Sequence, residues 1–203
     1  MTETGQAMTE TGQAMTETRP ARTETTARLP GDLPAQESVA RMIRVDHAGE
    51  YAAVRIYQGQ LAALRARGNV DVLRHMLTQE ERHLATFDGL VADRQVRPTL
   101  LLPIWHIAGY ALGAVTAALG ERSAMACTVA VEETIDAHYQ KQIAALDQSE
   151  PDLRATISQF RDEELEHRDT ALTHGAEQAP AYRLLHAVIA TGCRVAIALS
   201  ERI

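Results

Sequence analysis

Residues 73–91, LRHMLTQEERHLATFDGLV, and residues 153–171, LRATISQFRDEELEHRDTA, decide how this chain is read. In the first, Leu73, Leu77, Glu80, Leu84, Phe87 and Val91 recur in steps of three and four, the period of one helix face. In the second, Leu153, Ile157, Phe160, Glu164, His167 and Ala171 do the same. Each apolar stripe contains a glutamate followed one turn later by a histidine, Glu80 with His83 and Glu164 with His167. Two further stripes hold a glutamate with no such histidine. One is Ile43, His47, Glu50, Val54, Tyr57, Leu61, Leu64; the other is Met125, Val129, Glu132, Tyr139, Ile143, Leu146. Four helices therefore each aim a carboxylate at a common core.

A buried carboxylate without a partner costs several kcal/mol or stays protonated. Metal coordination explains four at once, because carboxylate and imidazole suit iron or manganese and two divalent ions neutralise four glutamates. In Glu-x-x-His the two side chains stand about 60° apart around the helix and one turn apart along it, close enough to share an ion. A single such pair on a Glu-rich helix is an ordinary solvated face. Here it occurs twice, and Glu80 follows Glu50 by 30 positions while Glu164 follows Glu132 by 32, the mark of a duplicated helix hairpin. One Glu from each of two helices plus Glu-x-x-His from each of two others is the ligand set of ferritin-like dinuclear proteins. The expected metal ligands are Glu50, Glu80, His83, Glu132, Glu164 and His167, with Glu50 and Glu132, which lack the histidine, as the bridges between two ions. Glu81, Glu133, Glu163 and Glu166 lie off the stripes, in solvent or outer-shell positions.

Working outward, breaks at 67–69, 97–98, 120–121, 149–151 and 179–180 delimit six helices over about 37–66, 70–94, 99–119, 122–147, 152–175 and 180–201. The fold class is all-α: a ferritin-like four-helix bundle with two additional apolar helices. Residues 1–34 repeat a polar heptapeptide, MTETGQA, and are expected to form a disordered tail, leaving 35–203 as the metal-binding domain. The tail has no apolar stretch, so it does not read as a signal peptide. Net charge is -7 with scattered basic residues, which excludes a nucleic-acid partner. The two cysteines, Cys127 and Cys193, lie in apolar surroundings and read as core residues in a reducing compartment. The segment 99–119, TLLLPIWHIAGYALGAVTAAL, carries no formal charge and is about long enough to cross a bilayer. A single crossing there would part Glu50 and Glu80 from Glu132 and Glu164. Pro103, Gly109, Gly113 and the polar edges of Trp105, His106 and Tyr110 instead fit a helix lying in the interface, which with the apolar last helix makes a face for a membrane surface or a homo-oligomer.

With these residues placed, six segments resemble the demethoxyubiquinone hydroxylase family of ubiquinone biosynthesis. They are IRVDHAGEYAAVRIY at 43–57, QEERHL at 79–84, RPTLLLPIW at 97–105, AMACTVAVEETI at 124–135, FRDEELEHRD at 160–169 and CRVAIALSERI at 193–203. The resemblance implies the same six ligands around two iron ions. It also implies O2 as co-substrate, a polyprenylated methoxy-benzoquinol as the molecule hydroxylated, and NADH or the quinol as reductant. It implies a role near the site or in electron delivery for His138 and Tyr139. It further implies a lipid-binding accessory protein of the same pathway as a partner. The Glu-bearing tail does not read as a mitochondrial transit peptide, which suggests peripheral attachment to the cytoplasmic face of a bacterial inner membrane, with a mature mitochondrial form as the alternative. Two other readings share parts of the pattern. An iron-storage or peroxide-scavenging bundle would use the ligands without the apolar helices, and a non-catalytic lipid-binding assembly partner would use the apolar helices without the ligands.

Overall fold

The computed structural model describes residues 1–2, 34–65, 70–146, 148 and 150–203. Most of the expected tail, the expected break at 67–69 and part of that at 149–151 fall outside the described residues. Six α-helices follow: α1 Ala35–Leu64, α2 Asp71–Asp93, α3 Leu102–Ala118, α4 Glu121–Ala145, α5 Pro151–Thr173 and α6 Tyr182–Ser200, with a 3₁₀ turn at Ala176–Gln178. The third starts three residues later than its composition suggested, with Pro103 in its first turn, where proline's missing N–H costs no helix bond. Gly120, at φ 121°, makes the corner between α3 and α4 in a backbone region that side chains rarely enter.

The stripes set the packing. Two apolar clusters lie on either side of the mid-helix glutamates. One gathers Tyr57, Leu64, Leu73, Met76, Met125, Val129 and Ala171. The other gathers Ile43, Phe87, Tyr139, Leu146, Leu153, Ile157 and Phe160. Since each of α1, α2, α4 and α5 contributes to both clusters from opposite ends, α1 and α5 run one way and α2 and α4 the other. The end of α2 and the start of α4 thus lie at opposite ends of the bundle, and α3 is the crossover that spans the distance.

Residues Ser123–Glu132 of α4 are buried on every side. Small side chains such as Ser123, Ala124, Ala126, Cys127 and Ala130 make this possible by letting neighbours close in all round. The pairing of α1 with α3 goes further and brings backbone against backbone. A Cβ at Gly113 would stand 1.9 Å from the Ile56 carbonyl oxygen, one at Gly59 2.2 Å from that of Tyr110, and one at Gly109 2.8 Å from that of Ala52. The glycines of α3 therefore serve close packing against α1, as in small-xxx-small pairs. Trp105 on α3 donates its indole N–H to Ser200 Oγ on α6 at 3.1 Å, so the two apolar helices meet at one end.

Candidate metal centre

Glu50 on α1, Glu80 and His83 on α2, Glu132 on α4, and Glu164 and His167 on α5 meet midway along the bundle, all buried. They form two overlapping groups, Glu50, Glu80, His83 and Glu164, and Glu80, Glu132, Glu164 and His167, whose donor atoms in each group lie within 4.8 Å of one another. All six residues singled out by the stripes are brought together.

The sharing is the reverse of that expected. Glu80 and Glu164 belong to both groups, whereas Glu50 belongs to one and Glu132 to the other. Because α2 and α5 are antiparallel, each histidine stands level with the other helix's glutamate and one turn from its own. His83 Nδ1 is 3.1 Å from Glu164 Oε1 and 3.5 Å from Glu50 Oε2. His167 Nδ1 is 3.1 Å from both Glu80 Oε1 and Glu164 Oε2. Glu80 and Glu164, the glutamates of Glu-x-x-His, are thus the residues that two ions would share, and Glu50 and Glu132 would each serve one.

The arrangement fits a metal pair on its own chemistry. Both oxygens of Glu80, Glu50 Oε2 and Glu132 Oε2 are buried and accept no hydrogen bond, although His167 Nδ1 stands beside Glu80 Oε1. Cations are the partners that such oxygens lack. The opposite oxygens of Glu50 and Glu132 are anchored reciprocally between the halves. Tyr57 on α1 donates to Glu132 Oε1 at 2.7 Å, and Tyr139 on α4 donates to Glu50 Oε1. Burial and the neighbouring carboxylates push both phenols well above their ordinary range, so they remain donors at neutral pH.

Tyr139 accordingly touches the site, while its neighbour His138 does not reach the six. His138 Nε2 lies 3.4 Å from Asp46 Oδ1, which also accepts from Gln142 Nε2 at 2.7 Å, and its other surroundings form a surface groove of about 390 Å³ with Lys141, His186 and Arg194. Sequence reasoning gave no role to Tyr57, Gln79, Asp46 or Gln142. A signal was present: Glu-x6-Tyr-x2-Gln occurs twice, as Glu50, Tyr57, Gln60 and as Glu132, Tyr139, Gln142. Of the off-stripe acids, Glu81, Glu133 and Glu166 are exposed, but Glu163 accepts from His83 Nε2 at 2.7 Å.

Burial pushes the carboxyls of Glu50, Glu80 and Glu132 above their usual range, and the charge of Glu164 pushes the same way. Glu164 behaves oppositely: burial opposes ionisation, but hydrogen bonds from His167 and His83 outweigh it and hold its carboxyl at about 2. Burial works against protonation of His83 and His167 too, yet their carboxylate partners win, raising His83 to about 11 and His167 in the same direction. In all five raised groups the folded state binds more protons than the unfolded state, so stability falls as pH rises from the ordinary carboxylate and imidazole values toward the folded ones. After removal of metal by chelation, the melting temperature should therefore fall between pH 5.5 and pH 8. Metal affinity should rise over the same interval because binding displaces those protons. A chelated protein that melts higher at pH 8 than at pH 5.5 would contradict this assignment of charge.

A helical bundle whose core gathers four glutamates and two histidines in two overlapping groups defines a ferritin-like protein with a buried carboxylate and histidine metal site. The chain belongs to the family described as ubiquinone biosynthesis protein COQ7, whose model matches residues 37–200. It is 60% identical over 177 residues to the 3-demethoxyubiquinol 3-hydroxylase of Rhodospirillum rubrum, covering 87% of this chain and 84% of that protein. It is 55% identical over 169 residues to the mitochondrial NADPH-dependent 3-demethoxyubiquinone 3-hydroxylase of Mus musculus, covering 81% and 78%. To the mitochondrial 5-demethoxyubiquinone hydroxylase of Saccharomyces cerevisiae it is 43% identical over 180 residues, covering 80% and 77%.

Proposed function

We propose that this chain hydroxylates the ring of a demethoxyubiquinol in ubiquinone biosynthesis, using O2 at a di-iron centre held by Glu50, Glu80, His83, Glu132, Glu164 and His167. The observation that carries the reading is the buried cluster of four glutamates and two histidines, in a bundle that also holds an apolar slot. Ala48, Gly49, Ala52 and Ala53 of α1, Trp105 of α3, Val131 and Ile135 of α4, and Cys193, Ala196 and Ile197 of α6 line it. Gly49 and Val131 adjoin Glu50 and Glu132 in the chain, while none of the six cluster residues lines the slot itself. Its volume is about 90 Å³, smaller than the ~150 Å³ that holds a benzene ring, so the ring enters only as α3 and α6 shift outward. Small side chains on the α1 wall leave room for a flat ring.

Bound iron would supply O2 reduction and oxygen transfer to the ring. One oxygen atom enters the ring and the other leaves as water, which requires two electrons and two protons. The electrons come from the quinol or from a reduced nicotinamide, the donor class that the mammalian relatives' names state. The chain's own residues hold and orient. Tyr57 and Tyr139 fix the carboxylates of Glu132 and Glu50, Phe160 stacks on His83 at 4.0 Å between ring centroids, and the two apolar clusters exclude water from both sides. His138, Asp46 and Gln142 form a polar chain between the groove and the Glu50 side, the natural place for proton or electron delivery. An iron-storage bundle would have no use for the slot or for an apolar exterior. With Fe(II)-loaded protein, a demethoxyubiquinol and 18O2, the product should carry one 18O atom; a bound substrate that is never labelled would rule the reading out.

The same reading places the protein on a membrane surface. Among the described residues from 34 onward, the exposed large apolar side chains all belong to α3, α6 or their flanks, including Ile104, Ile107, Val115, Leu184, Val188 and Val195. Of the described helices α6 alone is long and apolar enough to cross a bilayer, and only 17% of its apolar window is buried. It nevertheless packs along α4, so the two helices lie with their outer faces in lipid on the cytoplasmic side of an inner membrane, where the prenyl tail of the substrate is dissolved. A lipid-binding accessory protein or a second copy of the chain could share this face. In flotation, protein should rise with liposomes, and Ile107→Glu with Val188→Glu should leave it at the bottom. Retention of the wild-type protein at the bottom would sink the membrane reading.

A further inference from the structure

Both histidines of the site turn Nδ1 toward the carboxylates and Nε2 outward, but the outward partners differ. His83 Nε2 donates to Glu163 Oε2 at 2.7 Å, and His167 Nε2 donates to Gln79 Oε1 at 3.0 Å. The two partners hold the same place in the duplicated hairpin. Glu163 immediately precedes Glu164 and reaches across to the histidine of α2; Gln79 immediately precedes Glu80 and reaches across to the histidine of α5. The repeat has thus placed a carboxylate behind one ligand and a neutral amide behind the other.

We propose that the two metal positions are inequivalent, the ion beside His83 being bound more tightly than the ion beside His167, with Glu163 and Gln79 as the positioning residues that set the difference. The inference rests on the two-metal reading of the site. A carboxylate takes an imidazole N–H more strongly than an amide does, which leaves more electron density on the ligating nitrogen. Glu163 is held for this task, with its other oxygen accepting from Gln159 at 3.0 Å and the first also contacted by Arg82. The guanidinium draws off part of its charge but keeps it in place, and its side chain is 16% exposed. The surroundings act in the same direction. Phe160 covers the ring of His83, whereas His167 and Gln79 border a surface groove of about 310 Å³ with Asp71, His75 and Glu166. The His167 position is therefore both the weaker and the more open one, and it fills second.

The test is anaerobic titration of the chelator-stripped full-length protein with Co(II), following its visible absorption in competition with a chromophoric chelator. Two steps should appear, separated by about 10- to 100-fold, the range over which an outer-shell partner changes metal affinity. Shared carboxylates could by themselves make the second ion bind more weakly, so the variants decide. Gln79→Glu should tighten only the second step and bring the two together, and Glu163→Gln should weaken only the first. Steps that shift together in either variant, as added or removed charge alone would produce, or steps whose spacing neither variant changes, would overturn the inference. Should Glu163→Gln fail to fold by circular dichroism, Gln79→Glu still decides. Fewer than two Co(II) ions per wild-type chain would instead overturn the two-metal reading itself.

Discussion

Glu164→Ala should lose both metal ions, whereas Glu132→Ala should retain one. Glu164 belongs to both ligand groups and accepts from both histidines, His83 at 3.1 Å and His167 at 3.1 Å, so its removal strips a donor from each position at once. Glu132 belongs only to the group of His167, and the set of Glu50, Glu80, His83 and Glu164 survives its loss. Turnover in Glu164→Ala should fall by more than about 100-fold, beyond what the loss of an outer-shell partner costs. Metal content after anaerobic loading and gel filtration reads the difference directly. Two ions in Glu164→Ala would show that the shared position is not a ligand, and zero ions in Glu132→Ala would show that the positions cannot be occupied singly.

Gly113→Ala is the substitution with the largest expected effect on the fold. Its methyl group would stand 1.9 Å from the Ile56 carbonyl oxygen and 2.8 Å from the carbonyl carbon, backbone atoms that cannot rotate away. Added methyl groups in packed cores typically cost 1–3 kcal/mol where side chains can adjust. Here α1 and α3 must separate, so a loss of at least about 3 kcal/mol is expected. For a domain of this size that is a fall of roughly 6–12 °C in melting temperature. The slot, which both helices line, should be disturbed with it. Gly89→Ala on α2 is the control, since nothing lies within 4 Å of its added carbon. That change should stabilise by about 0.5–1 kcal/mol through helix propensity alone. Equal melting temperatures for the two variants would refute the backbone contact.

The histidine partners show where sequence reasoning stops. Glu163 and Gln79 lie beside ligands in the chain, but they act on histidines of other helices, and no periodicity along one helix reveals that. Tyr57 was visible as a stripe residue and Tyr139 as a neighbour of the site, yet their exchange between the halves is a contact across the bundle. The grouping of the donors differs from the expected bridges for a related reason. Counting ligands helix by helix makes Glu50 and Glu132 look unpaired, and only the antiparallel course of α2 and α5 sets each histidine level with the other helix's glutamate.

By itself the sequence determined the helices, their inward faces and the six carboxylate and histidine residues that meet in the core. These follow from local geometry, since a helix repeats every 3.6 residues and a carboxylate inside an apolar stripe needs a partner wherever that stripe is buried. Tertiary structure alone decided which carboxylates are shared, which histidine has a carboxylate behind it, and that Gly59, Gly109 and Gly113 bring two backbones into contact. Those are relations between elements far apart in the chain. They depend on helix direction, level and separation, which are set by how the faces pack together and not by the spacing of residues along any one of them.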